Sequence, residues 1–264
     1  MASTPQAEIK VGKSENRLVQ FKQFSVRDER CAMKIGTDAL LLASWCSVDS
    51  MLDIVDLGCG SGIIALMVAQ RAVEARVLGV EIEANAANQA SNNMAASPFS
   101  NRMEAIHNSA QEFASQPDNK GKFDLVVCNP PYFHGKPKSP DHARNLARHD
   151  ESLPLKELLK AAHETMGPNG TLALVWPMDR KEQLMQESLE RGFALTRCCE
   201  IAGTSNHEPK RFLSEWTKIS STVEAGQSVE KERLNIESTS RISGKPQHSA
   251  RYKELLAPFV KDWG

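Results

Sequence analysis

The chain has 264 residues, 41% of them apolar, and a formal net charge of −1. That is enough for one large domain with a full core, and the balanced charge gives no whole-chain argument for a polyanionic partner, which local clusters would have to meet. Six cysteines at 31, 46, 59, 128, 198 and 199 form no C-x-x-C pair, which reads as reduced core thiols without zinc or disulfides. Neither a signal peptide nor an apolar run near the roughly 18 residues of a membrane span is evident, so a soluble, cytoplasmic protein is expected.

Residues 1–16 are polar and read as a flexible tail. Residues 18–35 mix aromatics with charge and suggest a short hairpin. Thr37-Asp38 reads as a helix start before Ala39-Leu40-Leu41-Leu42-Ala43. From residue 52 strands and helices alternate. The pattern predicts a strand at Leu52–Leu57, a helix at Ile63–Ala72, a strand at Arg76–Glu81 and a helix at Ala84–Ala96 stopped near Pro98. A short strand around 103–107, a short helix near 110–115 and a strand at Phe123–Cys128 follow. A polar, basic loop covers 133–151. A helix follows Pro154, and the turn Gly167-Pro168-Asn169-Gly170 leads into a strand at Thr171–Trp176. A helix at 179–191 and a strand at 194–200 come next. Phe212–Ile219 and Glu232–Ile236 read as later, antiparallel strands. The Ser/Thr/Glu-rich stretch 220–250 is either a hairpin with long polar loops or partly disordered. A final helix is expected over 249–260. This rhythm predicts an α/β fold, a doubly wound and mostly parallel sheet with helices on both faces.

Two motifs stand out. Asp56-Leu57-Gly58-Cys59-Gly60-Ser61-Gly62 falls between the first strand of the alternating region and its helix. Glycines there let the backbone turn sharply and approach a ligand closely, and about 20 residues later Glu81 ends the next strand, where a carboxylate can accept from ribose hydroxyls. The spacing is G-x-G-x-G, unlike the G-x-G-x-x-G of dinucleotide enzymes. Asp56 is either a ligand contact or a brace for the turn. The second motif, Asn129-Pro130-Pro131-Tyr132, directly follows the strand ending at Cys128. Two prolines stiffen the chain as it leaves the sheet. They fix the Asn129 side-chain amide and the Pro130 carbonyl, two acceptors beside the Tyr132 ring. Together these form a clamp for a planar group that carries an NH2. Cys59 and Cys128 sit in no recognisable nucleophile context and read as core filler.

The glycine turn, the strand-end acid and the later NPPY, in that order, resemble class I methyltransferases that use S-adenosylmethionine. That resemblance implies a Rossmann-like, seven-stranded sheet with a short N-terminal extension and C-terminal antiparallel strands. It also implies a single domain over 17–264, made of a lid-like segment 17–50, a cofactor half 51–128 and a substrate half 129–264. Cofactor contacts are expected from Asp56, Gly58, Gly60, Gly62 and Glu81. Within the class, [DNS]PP[YFW] resembles enzymes that methylate planar amino groups, which gives Asn129, Pro130 and Tyr132 the catalytic role. Phe21-Lys22-Gln23-Phe24, Arg30 to Asp38, Leu40-Leu41-Leu42 and Ala147-Arg148-His149 resemble the bacterial tRNA1(Val) adenine-N6 methyltransferases. The implied activity is methylation of N6 of the adenine at position 37, just 3′ of the anticodon, with no metal.

By this resemblance Lys34 and Thr37 approach the cofactor, against the simpler reading of an exposed lysine and a helix cap. Where the family usually carries an Asp after the third strand, this chain has Asn108-Ser109, an amide and a hydroxyl able to meet the cofactor's adenine. Lys136, Lys138, Arg144 and Arg148 crowd the loop after the clamp, where RNA phosphates or plain solvent are the two readings. Phe133-His134-Gly135 also resembles the context found in rRNA guanine-N2 methyltransferases, and NPPY is shared with protein-glutamine N5 methyltransferases. A non-catalytic RNA-binding module is a third alternative.

Overall fold

The computed structural model of the protein describes residues 17–130, 153–219, 228–242 and 245–260. A two-stranded antiparallel hairpin, β1 (Leu18–Gln20) and β2 (Ser25–Arg27), comes first and pairs Val19 with Val26. Helix α1 (Thr37–Trp45) leads into the alternating region. There β3 (Asp53–Leu57), α2 (Ile63–Arg71), β4 (Arg76–Glu81), α3 (Ala84–Ala95), β5 (Met103–His107), α4 (Ala110–Ser115) and β6 (Phe123–Cys128) fall where the apolar periodicity predicts them. After residue 153 come α5 (Leu155–Thr165), β7 (Met166–Pro177), α6 (Lys181–Glu190), β8 (Phe193–Ala202) and β9 (Arg211–Lys218). Then β10 (Glu230–Asn235), the β11–β12 hairpin (Glu237–Ile242 with Lys245–His248) and α7 (Ala250–Leu256) close the described chain.

The central sheet has the order β10-β8-β9-β7-β6-β3-β4-β5. All its neighbours pair in parallel except β9, which is antiparallel to both β7 and β8. The order reverses between β3 and β6, which puts the topological switch point there. In open α/β sheets, ligands bind beyond the carboxyl ends of the strands at such a point.

Three expectations change. Seven strands, β3 to β9, form the expected sheet, but β10 adds an eighth and pairs in parallel with β8. β9 lies between β7 and β8 with both edges taken, and it ends level with the start of β8, where Phe193 faces Lys218. A strand entering from that end can only join the free edge of β8 in the same direction. The turn expected at 167–170 is drawn into β7 as an irregularity: Phe123 pairs with Met166 and Leu125 with Thr171. The last helix is shorter than expected and ends at Leu256.

Two apolar cores lie on either face of the sheet. One packs α1, α2, α3 and α7 together with the hairpin; the other packs α4, α5 and α6. α1 and α2 are apolar all round because they are covered twice, by the sheet and by an outer layer. In that layer Phe259 is fully buried, and its carbonyl accepts from the Lys22 N–H at 2.8 Å. Gln70 of α2 likewise donates to the Pro258 carbonyl at 2.9 Å. The hairpin is thereby held between the last described residues and α3.

Candidate active site

The glycine turn leaves β3 with Gly58, Gly60 and Gly62 all in the left-handed region, at φ of 76°, 55° and 79°. A side chain at any of them would be strained. Around Gly58 and Gly60 a Cβ would meet nothing within 4 Å, so that side of the turn is open to a ligand. Gly62 caps α2 and faces the other way, where a Cβ would come within 3.1 Å of Met94 Cε.

The open side is a cavity of about 350 Å³ at the carboxyl ends of β3, β4, β5 and β6. Lys34, Gly58, Gly60, Glu81, Asn108 and Asn129 all line it, although they are spread over almost a hundred residues of sequence. The opposite wall is residues 29–35, in the expected lid-like segment.

Glu81 is 7% exposed, and its two oxygens accept from the Gly60 N–H at 2.8 Å and the Glu83 N–H at 2.9 Å. A carboxylate has about four acceptor sites, so two remain for hydroxyls of a ligand. Asn108 is placed by its N–H, which donates to the Glu81 carbonyl at 3.0 Å. Asn129 is half-buried at the end of β6, and its amide makes no hydrogen bond with the described residues. Pro130 is buried beside it. Tyr132, Lys136, Lys138, Arg144 and Arg148 lie outside the described residues.

The other predicted residues are placed differently. Asp56 is fully buried behind the turn and does not line the cavity. Its Oδ2 accepts from the Ala65 N–H at 3.2 Å, while Oδ1 has no partner. Burial pushes its pKa up to about 8; the Ala65 N–H works against this and the Glu81 charge adds to it. The geometry is that of a brace between β3 and α2. Ser109 caps α4, its Oγ accepting from the Glu112 N–H at 3.1 Å. Thr37 is the first residue of α1, not its cap; Gly36 holds that position. Lys34 does reach the cavity, but its ammonium donates to the carbonyls of Asp28 at 2.8 Å, Glu29 at 3.2 Å and Cys31 at 2.8 Å. These bonds tie together the wall in which it sits. Cys59 and Cys128 are buried, and burial lifts both thiols well above their ordinary range, as core filler requires.

Two residues that hold the wall escaped the sequence reading. Asp28 is fully buried; it accepts from the Ile35 N–H at 3.0 Å and pairs with Arg17 at 3.3 Å. Asn93 is a buried amide on the same stripe of α3 as Ala86, Ala90 and Met94. A polar residue on an apolar stripe was the available signal for it. Among the described residues no His/Cys/Asp/Glu group could hold a metal, and no helix is long and apolar enough to cross a membrane.

The methyltransferase small domain family matches residues 31–203, a span that takes in all of the cavity lining except Glu29 and Arg30. A tRNA1(Val) (adenine(37)-N6)-methyltransferase of Parabacteroides distasonis is 38% identical over 248 residues, covering 94% of this chain and 98% of that protein. One of the same name from Bacteroides fragilis is 41% identical over 202 residues, 76% of this chain and 84% of its own. Among solved structures, that of a predicted O-methyltransferase from Agrobacterium tumefaciens has the same fold, with a TM-score of 0.64 at 20% identity over 84% of this chain and 96% of that one. With a domain match over most of its length and relatives of this identity over nearly all of it, the chain belongs to the tRNA1(Val) (adenine(37)-N6)-methyltransferase family.

Proposed function

We propose that this protein methylates N6 of adenine 37 in the anticodon loop of tRNA1(Val), using S-adenosylmethionine, in the cytoplasm. The observation that carries the reading is that Asn129 opens onto the same cavity as Gly58, Gly60 and Glu81. The acceptor clamp and the nucleoside side of the site thus meet in one space. The names of the relatives supply the RNA and the base.

The residues suit the cofactor. The open side of the glycine turn admits close approach of a ligand, Glu81 offers acceptor sites for ribose hydroxyls, and Asn108 stands at the end of β5 for the adenine. When bound, S-adenosylmethionine supplies an activated methyl group. An exocyclic aromatic amine is a weak nucleophile because its lone pair is delocalised into the ring. Asn129 Oδ1 and the Pro130 carbonyl each accept one N–H of that amine, which turns the lone pair out of the ring plane and raises its electron density. Positioning supplies much of the acceleration, and no strong base is needed because the proton becomes acidic only after transfer. Tyr132 stacks on a base turned out of the loop, and Lys136, Lys138, Arg144 and Arg148 meet the RNA phosphates.

The test is incubation with labelled cofactor and total tRNA, rRNA or protein from a strain that lacks the enzyme. Mass spectrometry of the digested product is expected to return N6-methyladenosine from tRNA. N2-methylguanosine from rRNA or methylglutamine from protein would overturn the reading.

A further inference from the structure

Asn93 is 4% exposed and stands outside the cavity lining. Its amide makes three hydrogen bonds, all to main-chain atoms. Oδ1 accepts from the Arg27 N–H at 3.0 Å, and Nδ2 donates to the carbonyls of Arg27 and Ser61, both at 2.8 Å. Since each partner is either an N–H or a C=O, only one orientation of the amide satisfies all three. Arg27 ends the hairpin and Ser61 belongs to the glycine turn. One buried side chain therefore ties the hairpin to the turn.

The surroundings strengthen the tie. Next to Asn93, Met94 packs on the turn, and Ala90 one helical turn earlier would stand 3.4 Å from a Cβ at Gly62. Beyond the end of α3, Phe99 meets the hairpin's Phe24 edge-on, with ring centroids 6.2 Å apart. On the hairpin side, Arg27 is followed by Asp28, whose carboxylate holds Ile35 at the far end of the cavity wall. A continuous path thus runs from the turn through Asn93 and Arg27 to residues 29–35.

We infer that Asn93 is a positioning residue that couples occupancy of the glycine turn to the placement of the N-terminal hairpin, and with it the wall 29–35. The inference rests on the reading that this cavity takes S-adenosylmethionine. A ligand that restrains the turn restrains the Ser61 carbonyl, then the amide, then both main-chain groups of Arg27. Such coupling is reciprocal, so a well-placed hairpin also favours the bound turn. Residues 18–27 do not line the cavity. Any response there to a ligand must be transmitted.

Amide hydrogen exchange over 18–27, with and without saturating S-adenosylhomocysteine, tests the link. In the wild-type protein the ligand is expected to slow exchange by about fivefold or more, the lower end of ordinary coupling between sites. In Asn93→Ala the same occupancy, checked by calorimetry, is expected to leave those amides unchanged. Asn93→Asp keeps the acceptor for Arg27 but has no donor for Ser61; it is the milder variant and is expected to lose the response too. Leu184→Ala, in the core under α6, loosens the fold elsewhere and should retain it. Ligand-dependent slowing that survives in both Asn93 variants would overturn the inference. So would a wild-type protein that binds the ligand with no change at 18–27, or a Leu184→Ala protein that loses the response equally. A wild-type protein that fails to bind at all would overturn the cofactor reading, and the inference with it.

Discussion

The two sides of the cavity are finished to different degrees. At the glycine turn and on the facing wall, polar groups already have partners within the chain: Glu81 serves Gly60 and Glu83, and Lys34 serves three carbonyls. On the β6 side the Asn129 amide makes no hydrogen bond with the described residues. The first side holds its shape by itself and presents a fixed surface to the cavity. The second leaves the Asn129 amide open to the cavity. A preorganised group with no internal partner loses nothing in the chain when a substrate takes it, which is the arrangement that favours reaction over mere binding.

The sharpest way to break this division is Asn129→Ala. Methyl transfer to tRNA should fall by about 100-fold or more, the scale seen when one aligned polar group is removed from a reacting centre. Calorimetry should find S-adenosylhomocysteine affinity within about twofold of wild type. An equal loss of affinity would mean that the two sides are not separable. Glu81→Ala acts on the other side and should weaken cofactor binding by about tenfold or more, the value of hydrogen bonds to a charged group. Unchanged affinity would reduce Glu81 to a prop for the turn.

Asp56 offers a smaller effect, on stability. In the fold its carboxyl keeps its proton up to about pH 8, whereas an unfolded aspartate releases it near 3.8. A pKa raised by folding gives stability that is full below the unfolded value and is lost as pH rises toward the folded one. Melting temperature should therefore carry a component that declines from about pH 4 to about pH 8, and Asp56→Asn should flatten it. A slope that survives the substitution would assign it to other groups. Ser109→Ala should have the mildest consequence. Loss of the α4 cap costs roughly 1 kcal/mol, about 2–4 °C in a chain of this size, with cofactor affinity kept. A drop in affinity would restore Ser109 to the ligand contacts that the sequence suggests.

The elements between residues 53 and 128 were legible because each is short and bounded by turn residues, so period and length agree. Arg76–Glu81 and Phe123–Cys128 match residue for residue. The site's strand-end residues were legible for the same reason: once the strands are placed, Gly58, Glu81, Asn108 and Asn129 must fall at one end of the sheet. Pairing partners were not. The direction of β10 depends on which sheet edge is still free after β9 inserts, and nothing local to Glu230–Asn235 records that. Lys34 and Ser109, expected at the cofactor, both make side-chain hydrogen bonds within the chain. Their hydrogen bonds go to nearby carbonyls and a nearby N–H, and composition does not distinguish those from a ligand. Asn93 reaches back 66 residues to Arg27, a distance at which sequence spacing carries no information.

One of the sheet's two outer strands has a consequence for life in a crowded solution. β10 begins Glu230-Lys231-Glu232-Arg233, four consecutive charges along a margin that, among the described residues, pairs with a strand on one side only. Any neighbouring chain that tried to zip onto that margin would meet alternating positive and negative groups, two of them already paired with Arg197. Such a border discourages fibrous growth while leaving the fold complete.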